Sequence, residues 1–170
     1  MVCFRILFAG CLALSLSGCA GYRLGPTNDQ RAGAKTVEVV PFANQTAEPR
    51  LADDTTAALR KEIQRDATFR LASHGPGDIV VTGEVTHFTR SGVSFSTTDV
   101  ITAQNYRLTM TVHVIARERA TGKVLLDKSM DGNTTVSVGN DLPSAERQAR
   151  PLLATDLAQH VTSLLADGIW

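Results

Sequence analysis

The chain has 170 residues, a length suited to a single domain with one hydrophobic core. Its 17 basic and 17 acidic residues give a formal net charge of zero, which argues against a nucleic-acid-binding protein. Three cysteines occur, at Cys3, Cys11 and Cys19, all within the N-terminal segment. The rest of the chain therefore has no thiols for a disulfide framework or a thiolate-bound metal cluster.

The N-terminal segment has the pattern of a secretory signal peptide. Arg5 is its one charged side chain, and the apolar run over residues 6–16 is far shorter than the roughly 20 residues of a membrane-spanning helix. The run ends in Leu16-Ser17-Gly18-Cys19, which resembles the lipobox of bacterial lipoproteins. We expect residues 1–18 to be a signal peptide and Cys19 to carry the lipid. The alternative is an ordinary cysteine beside a conventional cleavage site.

The residues after Cys19 indicate a destination and a tether. Ala20, and not an aspartate, follows the cysteine. By resemblance to lipoprotein sorting in enteric bacteria, this favours a lipid-anchored protein on the periplasmic side of the outer membrane. Residues 19–34 are rich in Gly, Asn, Gln, Asp and Thr, a composition typical of a tether. Residues 35–170 are then expected to form a single domain.

The first part of this domain alternates between strand and helix patterns. Alternating β-branched residues predict a strand over residues 35–40. A four-residue apolar repeat beginning at Leu51 predicts a helix over residues 50–67. Residues 69–71 have the composition of a short strand, and residues 78–88 alternate as a longer one.

The middle of the domain predicts a sheet built from hairpins. A Ser- and Thr-rich stretch, residues 89–105, is expected at the tip of a long hairpin. The clearest strand covers residues 106–117, where apolar and polar side chains alternate strictly, as in an antiparallel sheet with one solvated face. A glycine-containing turn at 120–123 leads into a strand over 124–138, with a bulge or turn expected at 131–133.

The last predicted element is a helix over residues 142–166. Asp141 is expected to cap it, and Pro151 is expected to kink or restart it. The element order β-α-(β)-β-β-β-α predicts an α+β fold. We expect a two-layer sandwich, in which two helices pack on one face of a mostly antiparallel four-stranded sheet.

The sequence offers no pattern for catalysis. None of the histidines has a partner at metal-ligand spacing: they are His74, His87, His113 and His160. No nucleophile elbow and no phosphate-cradling glycine loop is found. We therefore expect a protein that is not an enzyme and that has no catalytic residue, metal or cofactor.

The remaining candidate site is a surface. Basic residues lie along or near the predicted central hairpin: Arg107, Arg117, Arg119, Lys123 and Lys128. On a shared face they could pair with phosphates. The alternative is a solvated strand face whose edge lysines discourage aggregation. Val93 and Phe95 lie among Ser and Thr at the predicted tip, where they form a contact surface unless they fold back on the domain.

Several segments, taken in order, resemble the LPS-assembly lipoprotein family, LptE. They are the segment 19–24 after the lipid cysteine, the strand-Pro-Phe-x-Asn-x-Thr segment 37–46, the strand segments 78–85 and 106–114, the turn 121–123 and the closing helix rich in Ala and Leu. The resemblance spans essentially the whole mature chain and implies the same two-layer fold. It also implies a non-enzymatic subunit inside an LptD-like outer-membrane β-barrel, which helps the barrel fold and deliver lipopolysaccharide to the outer leaflet.

The resemblance carries over Cys19 and leaves the contact residues as a hypothesis. Because lipopolysaccharide is a phosphorylated glycolipid, we expect it to contact Arg107, Arg117, Lys123 and Phe95. Two other classes remain open: a lipoprotein regulator of a peptidoglycan synthase, which shares the early strand-Pro-Phe-x-Asn segment, and a small envelope hydrolase. A regulator needs a long tether, whereas about 15 residues at 3.3–3.6 Å each reach at most about 50 Å.

Overall fold

The computed structural model describes residues 33–95, 103–138 and 141–168. The predicted signal peptide, Cys19, most of the predicted tether and residues 96–102 lie outside this part of the chain. The elements in chain order are β1 (Thr36–Val39), β2 (Ala43–Asn44), α1 (Leu51–Asp66), β3 (Arg70–Leu71), β4 (Ile79–Phe95), β5 (Ala103–Glu118), β6 (Val124–Ser137) and α2 (Leu142–Asp167).

The strands form one mixed sheet in the order β3-β1-β4-β5-β6, with β2 paired to β4. The long strands β4, β5 and β6 are antiparallel, whereas β1, β2 and β3 make parallel pairs. The α+β class is confirmed, but the prediction of a mostly antiparallel four-stranded sheet is too simple. The prediction omits β2, because a two-residue strand is too short for alternation to appear in the sequence. It also does not include the parallel edge formed by β1 and β3.

The central hairpin is longer than the sequence pattern predicts. Pairing of β4 with β5 runs from Ile79 opposite Glu118 to Phe95 opposite Ala103. Much of the polar stretch 89–105, predicted as the tip of the hairpin, is therefore strand. Its Ser and Thr side chains are compatible with a strand that has a solvated face, and threonine is β-branched.

Strand β6 is also continuous where an interruption was predicted. Gly132 pairs with Met110 in an unbroken register, so the bulge or turn expected at 131–133 is absent from the described β6. A Cβ added to Gly132 would lie 2.8 Å from the carbonyl oxygen of Leu153 and 3.0 Å from Cβ of Leu157. The glycine therefore lets α2 approach the sheet closely and does not break the strand.

Both helices pack on the same face of the sheet. Hydroxyl Oγ1 of Thr55 in α1 lies 3.6 Å from the sulfur of Met110, and α2 packs on Gly132, which is opposite Met110. The alternating buried residues of β5 complete this core: Leu108, Met110, Val112, Val114 and Ala116. The predicted packing of two helices on one face is confirmed.

The helix ends follow the predicted chemistry in most respects. Asp141 caps α2 by accepting from the backbone N–H of Ser144 at 2.5 Å, and the hydrogen bonds from the hydroxyl and then the backbone N–H of Ser144 lower the pKa of Asp141. The described helix α2 passes through Pro151 without restarting.

Across the described ranges, no helix is long and apolar enough to cross a membrane.

Candidate functional site

The predicted basic residues do not form one patch. Arg107 and Arg117 lie on the same face of β5, ten residues apart, which corresponds to about 33 Å along a strand. Arg107 pairs with Ser91 in β4, whereas Arg117 pairs with Val80 at the opposite end of the hairpin. Arg107 therefore lies at one end of the long hairpin and Arg117, Arg119 and Lys123 at the other, while Lys128 pairs with Val114 between them.

Arg117 and Lys123 form one group, at the turn between β5 and β6. Arg117 donates from Nη1 to the carbonyl oxygen of Gly122 at 2.9 Å, which ties its guanidinium to the turn. Lys123 is exposed beside it. Arg119 is held at the other side of β4, where its Nε donates to the carbonyl of Gly77 at 2.8 Å.

Arg107 and Phe95 lie at the far end of the hairpin but on opposite faces, because the Phe95 ring lies beside Gly92, which pairs with the core-facing Tyr106. Phe95 is four residues beyond Ser91, the partner of Arg107, so the two backbone positions are about 13 Å apart along the strands. The side chains of Val93 and Phe95 remain 46 % and 51 % exposed. Both therefore keep a large apolar surface in solvent.

The sheet face that carries Arg107 and Arg117 is polar and hydrogen-bonded across its strands. Thr111 donates to Asp131 at 2.7 Å, and a nitrogen of His113 lies 2.8 Å from Asp127. Pairs of this kind stabilise neighbouring strands and leave the face wetted by water. We call it the open face, because both helices lie on the other side of the sheet.

A cavity lined by arginines lies on the helix side of the sheet. Its volume is about 460 Å³, and it lies where β4 meets the N-terminal ends of both helices. Phe88 and Arg90 of β4 line it because they pair with Met110 and Leu108, which are core residues. We call it the arginine cleft; its lining residues are Glu48, Pro49, Arg50, Phe88, Arg90, Pro143, Glu146, Arg147 and Arg150.

Arg90 organises the floor of the arginine cleft. Its guanidinium pairs with the carboxylates of Glu146 and Glu48, with Nη2 at 3.1 Å from one oxygen of Glu146. Its carbon Cζ lies 4.7 Å from the centre of the Phe88 ring, a cation–π distance. The hydrogen bonds, first to Glu146 and then to Glu48, raise the pKa of Arg90. One cation thus joins the loop before α1, the start of α2 and β4.

Arg150 forms the inner wall of the cleft. Its Nη1 donates to the carbonyl of Pro49 at 3.1 Å, and its Nε lies 3.7 Å from a carboxylate oxygen of Asp54. That Nε is buried and has no hydrogen-bond acceptor among the described residues. The cleft region has four arginines against four carboxylates, Glu48, Glu146, Asp54 and Asp141, so its formal charges balance.

No pattern in the sequence predicted the arginine cleft. Its residues come from three segments, 48–50, 88–90 and 143–150, which only the fold brings together. Arg50 precedes α1 and Arg147 lies near the start of α2, but Asp53 and Asp54 occupy the first turn of α1 and Asp141 caps α2, so the sequence gives no clear local signal for a cluster of cations. Within the described ranges, no three His, Cys, Asp or Glu side chains lie close enough to hold a metal ion.

The two-layer α+β domain, with the predicted lipoprotein leader before it, is the arrangement expected of an envelope lipoprotein. The family model LptE, described as lipopolysaccharide-assembly, matches residues 34–165. The chain therefore belongs to the LptE family, and the predicted resemblance is confirmed. No curated protein matches it in sequence.

Solved structures with the same fold come from several bacteria. Protein XCC0632 from Xanthomonas campestris, of family DUF330, is 10 % identical, with a TM-score of 0.62 over 86 % of this chain and 91 % of its own. Protein CT253 from Chlamydia trachomatis is 11 % identical, with a TM-score of 0.57 over 79 % and 97 %. A minor lipoprotein from Acinetobacter baumannii is 15 % identical, with a TM-score of 0.51 over 78 % and 92 %. At these identities the likeness shows the fold alone.

Proposed function

We propose that this protein is the lipoprotein subunit of an outer-membrane lipopolysaccharide translocon. In this proposal it is anchored through Cys19, sits within an LptD-like β-barrel, and helps that barrel to fold and to deliver lipopolysaccharide to the outer leaflet. The observation that carries the proposal is the family match over residues 34–165, which covers nearly all of the folded domain.

The character of the open face supports a partner with a water-filled interior. Its Thr, Ser, Asn, Asp and His side chains hydrogen-bond across β5 and β6, as in the Thr109 to Asn133 pair at 3.0 Å. A face of this kind can lie against a hydrated wall without leaving polar groups unpaired. An apolar open face would instead favour a dry, fully buried interface.

Lipopolysaccharide contacts are proposed at the far end of the hairpin and, separately, at the turn. Phe95 supplies exposed apolar surface, and its backbone position is about 13 Å along the strands from that of Arg107, on the opposite face of the sheet. Arg117 and Lys123 supply a second basic group about 33 Å away. A single phosphate cannot contact both Arg107 and the Arg117–Lys123 group, because they are too far apart.

Charge reversal at each group tests these contacts. Arg107→Glu is expected to weaken lipopolysaccharide binding by the purified protein, and Arg117→Glu with Lys123→Glu tests the turn. Arg65→Glu, on an exposed position of α1, is the matched control because its side chain is 70 % exposed. Unchanged binding by both sets of variants would remove these residues from the proposal.

The partnership is tested by co-purification. The protein carries an affinity tag after Trp170, outer membranes are extracted with a gentle detergent, and the recovered partners are identified. A stoichiometric β-barrel of translocon size is the expected result. Recovery of a peptidoglycan synthase without a barrel would instead favour the regulator class, and recovery of the protein alone would contradict a stable translocon subunit.

A further inference from the structure

We propose that the arginine cleft is a binding site for a phosphate group of an anionic ligand. The cleft lies on the helix side of the sheet, whereas Arg107 and Arg117 lie on the open face. A phosphate in the cleft would therefore be held by arginines other than Arg107 and Arg117, and its binding can be measured without the barrel partner.

Two arginines of the cleft, Arg50 and Arg147, keep unused N–H donors, although Arg147 lies near the Asp141 carboxylate. The charge of Arg90 is already neutralised by Glu48 and Glu146, so Arg90 is not counted among the arginines that bind the ligand. Arg147 makes one side-chain hydrogen bond, from Nη2 to Oγ of Ser144 at 2.7 Å.

Arg50 has still fewer partners. Its side chain makes no hydrogen bond or ion pair with the residues of the described ranges. A guanidinium has five N–H donors in a fork that matches phosphate oxygens. Arg50 and Arg147 therefore keep most of their donors for a ligand.

The start of α1 adds donors on the same wall of the cleft. Arg50 is the N-cap residue of α1, in a left-handed conformation with φ 70°, and it makes no side-chain cap. Arginine has no acceptor with which to cap the first-turn amides, whereas Asp141 caps α2. The uncapped start of α1 thus leaves backbone N–H donors beside the free guanidinium, while Asp53 and Asp54 of the first turn already balance the positive end of the helix dipole.

The apolar surroundings indicate what kind of molecule carries the phosphate. Phe88, Pro49 and Pro143 line the cleft, and the exposed Val93 and Phe95 follow on the same strand. They lie three and five residues beyond Arg90, or about 10 and 17 Å along β4. A phosphate attached to an apolar group can therefore contact both the arginines and this apolar surface. Free phosphate can contact only the arginines.

Two probes distinguish a lipid headgroup from free phosphate. The full protein in non-ionic detergent is titrated by calorimetry with dihexanoyl phosphatidic acid and with inorganic phosphate, both at low salt. The test variant is Arg50→Gln with Arg147→Gln, two exposed positions, and the matched control is Arg65→Gln with Arg70→Gln. Circular dichroism confirms that each variant is folded, and the single variants Arg50→Gln and Arg147→Gln replace the double variant if it is not.

The expected result is binding of phosphatidic acid that weakens at least tenfold in the test variant and is unchanged in the control. Equal binding of both probes, lost in the test variant, also supports the site and assigns it to free phosphate. Binding by neither probe, or equal binding by test variant and wild type, overturns the proposal. The co-purification of a β-barrel is unaffected by any of these results, so the two proposals fail separately.

Discussion

The contact between Gly83 and Phe42 gives a sharp test of how the early Pro-Phe segment is held. A Cβ added to Gly83 would lie 2.3, 2.5 and 2.6 Å from the ring atoms Cε2, Cζ and Cδ2 of Phe42. Phe42 is 7 % exposed, and its backbone N–H donates to Oγ1 of Thr56 in α1 at 3.0 Å. The ring is therefore confined between β4 and α1 and cannot easily yield.

We expect Gly83→Ala to lower the free energy of unfolding by about 1–3 kcal/mol, the usual cost of overpacking a core. Phe42→Ala is expected to cost about 3–5 kcal/mol, because it removes a buried ring and leaves a cavity. Simple addition gives about 4–8 kcal/mol for the double variant. Without the ring the new methyl group meets no clash, so the double variant is expected to cost no more than Phe42→Ala alone.

Urea unfolding of the four proteins, followed by circular dichroism, measures this coupling. The structure predicts a coupling of about 1–3 kcal/mol in favour of the double variant. A Gly83→Ala variant as stable as wild type would refute the packing described for Phe42. If the two losses of stability simply add, the two residues act independently. That result would contradict the 2.3–2.6 Å distances between the added Cβ and the Phe42 ring.

Gly132→Ala is expected to cost about 1–3 kcal/mol in urea unfolding, because its methyl group would lie 2.8 Å from the carbonyl oxygen of Leu153; unchanged stability would contradict that contact. Hydrogen bonds from the backbone N–H and then the hydroxyl of Thr36 hold the pKa of Asp78 below 3.8. The folded state thus binds fewer protons than the unfolded state, so stability falls as the pH drops from about 5 through the lower folded pKa. Asp78→Asn is expected to flatten this acid loss in a plot of Tm against pH, and an identical slope would rule the interaction out. Arg90→Gln is expected to lower Tm because two glutamates lose their shared cation. Salt should reduce this deficit by screening, and a salt-independent deficit would argue against an electrostatic role.

The sequence predicted the long elements well because their periodicity is strong. The alternation from Tyr106 onwards identified the buried face of β5, and the four-residue repeat from Leu51 identified the buried side of α1. Gly132 was misread as an interruption because a glycine in a strand has the same local signal whether it bends the chain or admits a helix. That choice depends on Leu153 and Leu157 of α2, which are more than 20 residues away in sequence.

The site was predicted less well, for a related reason. Strand alternation correctly placed Arg107 and Arg117 on one face, but it gives no warning that ten residues of strand separate them by about 33 Å. The arginine cleft depends on Arg50, Arg90 and Arg147 meeting through the pairing of β4 with β5 and the packing of α2. No local pattern joins these segments, so only the fold shows that they form one cavity.

Depletion of the protein from growing cells tests the translocon proposal most directly. The measured quantities are lipopolysaccharide accessible at the cell surface and the amount of folded barrel partner in the outer membrane. We predict that both fall together on depletion and recover when the wild-type protein is supplied again. Normal surface lipopolysaccharide and a normal amount of folded barrel in depleted cells would contradict the proposed function.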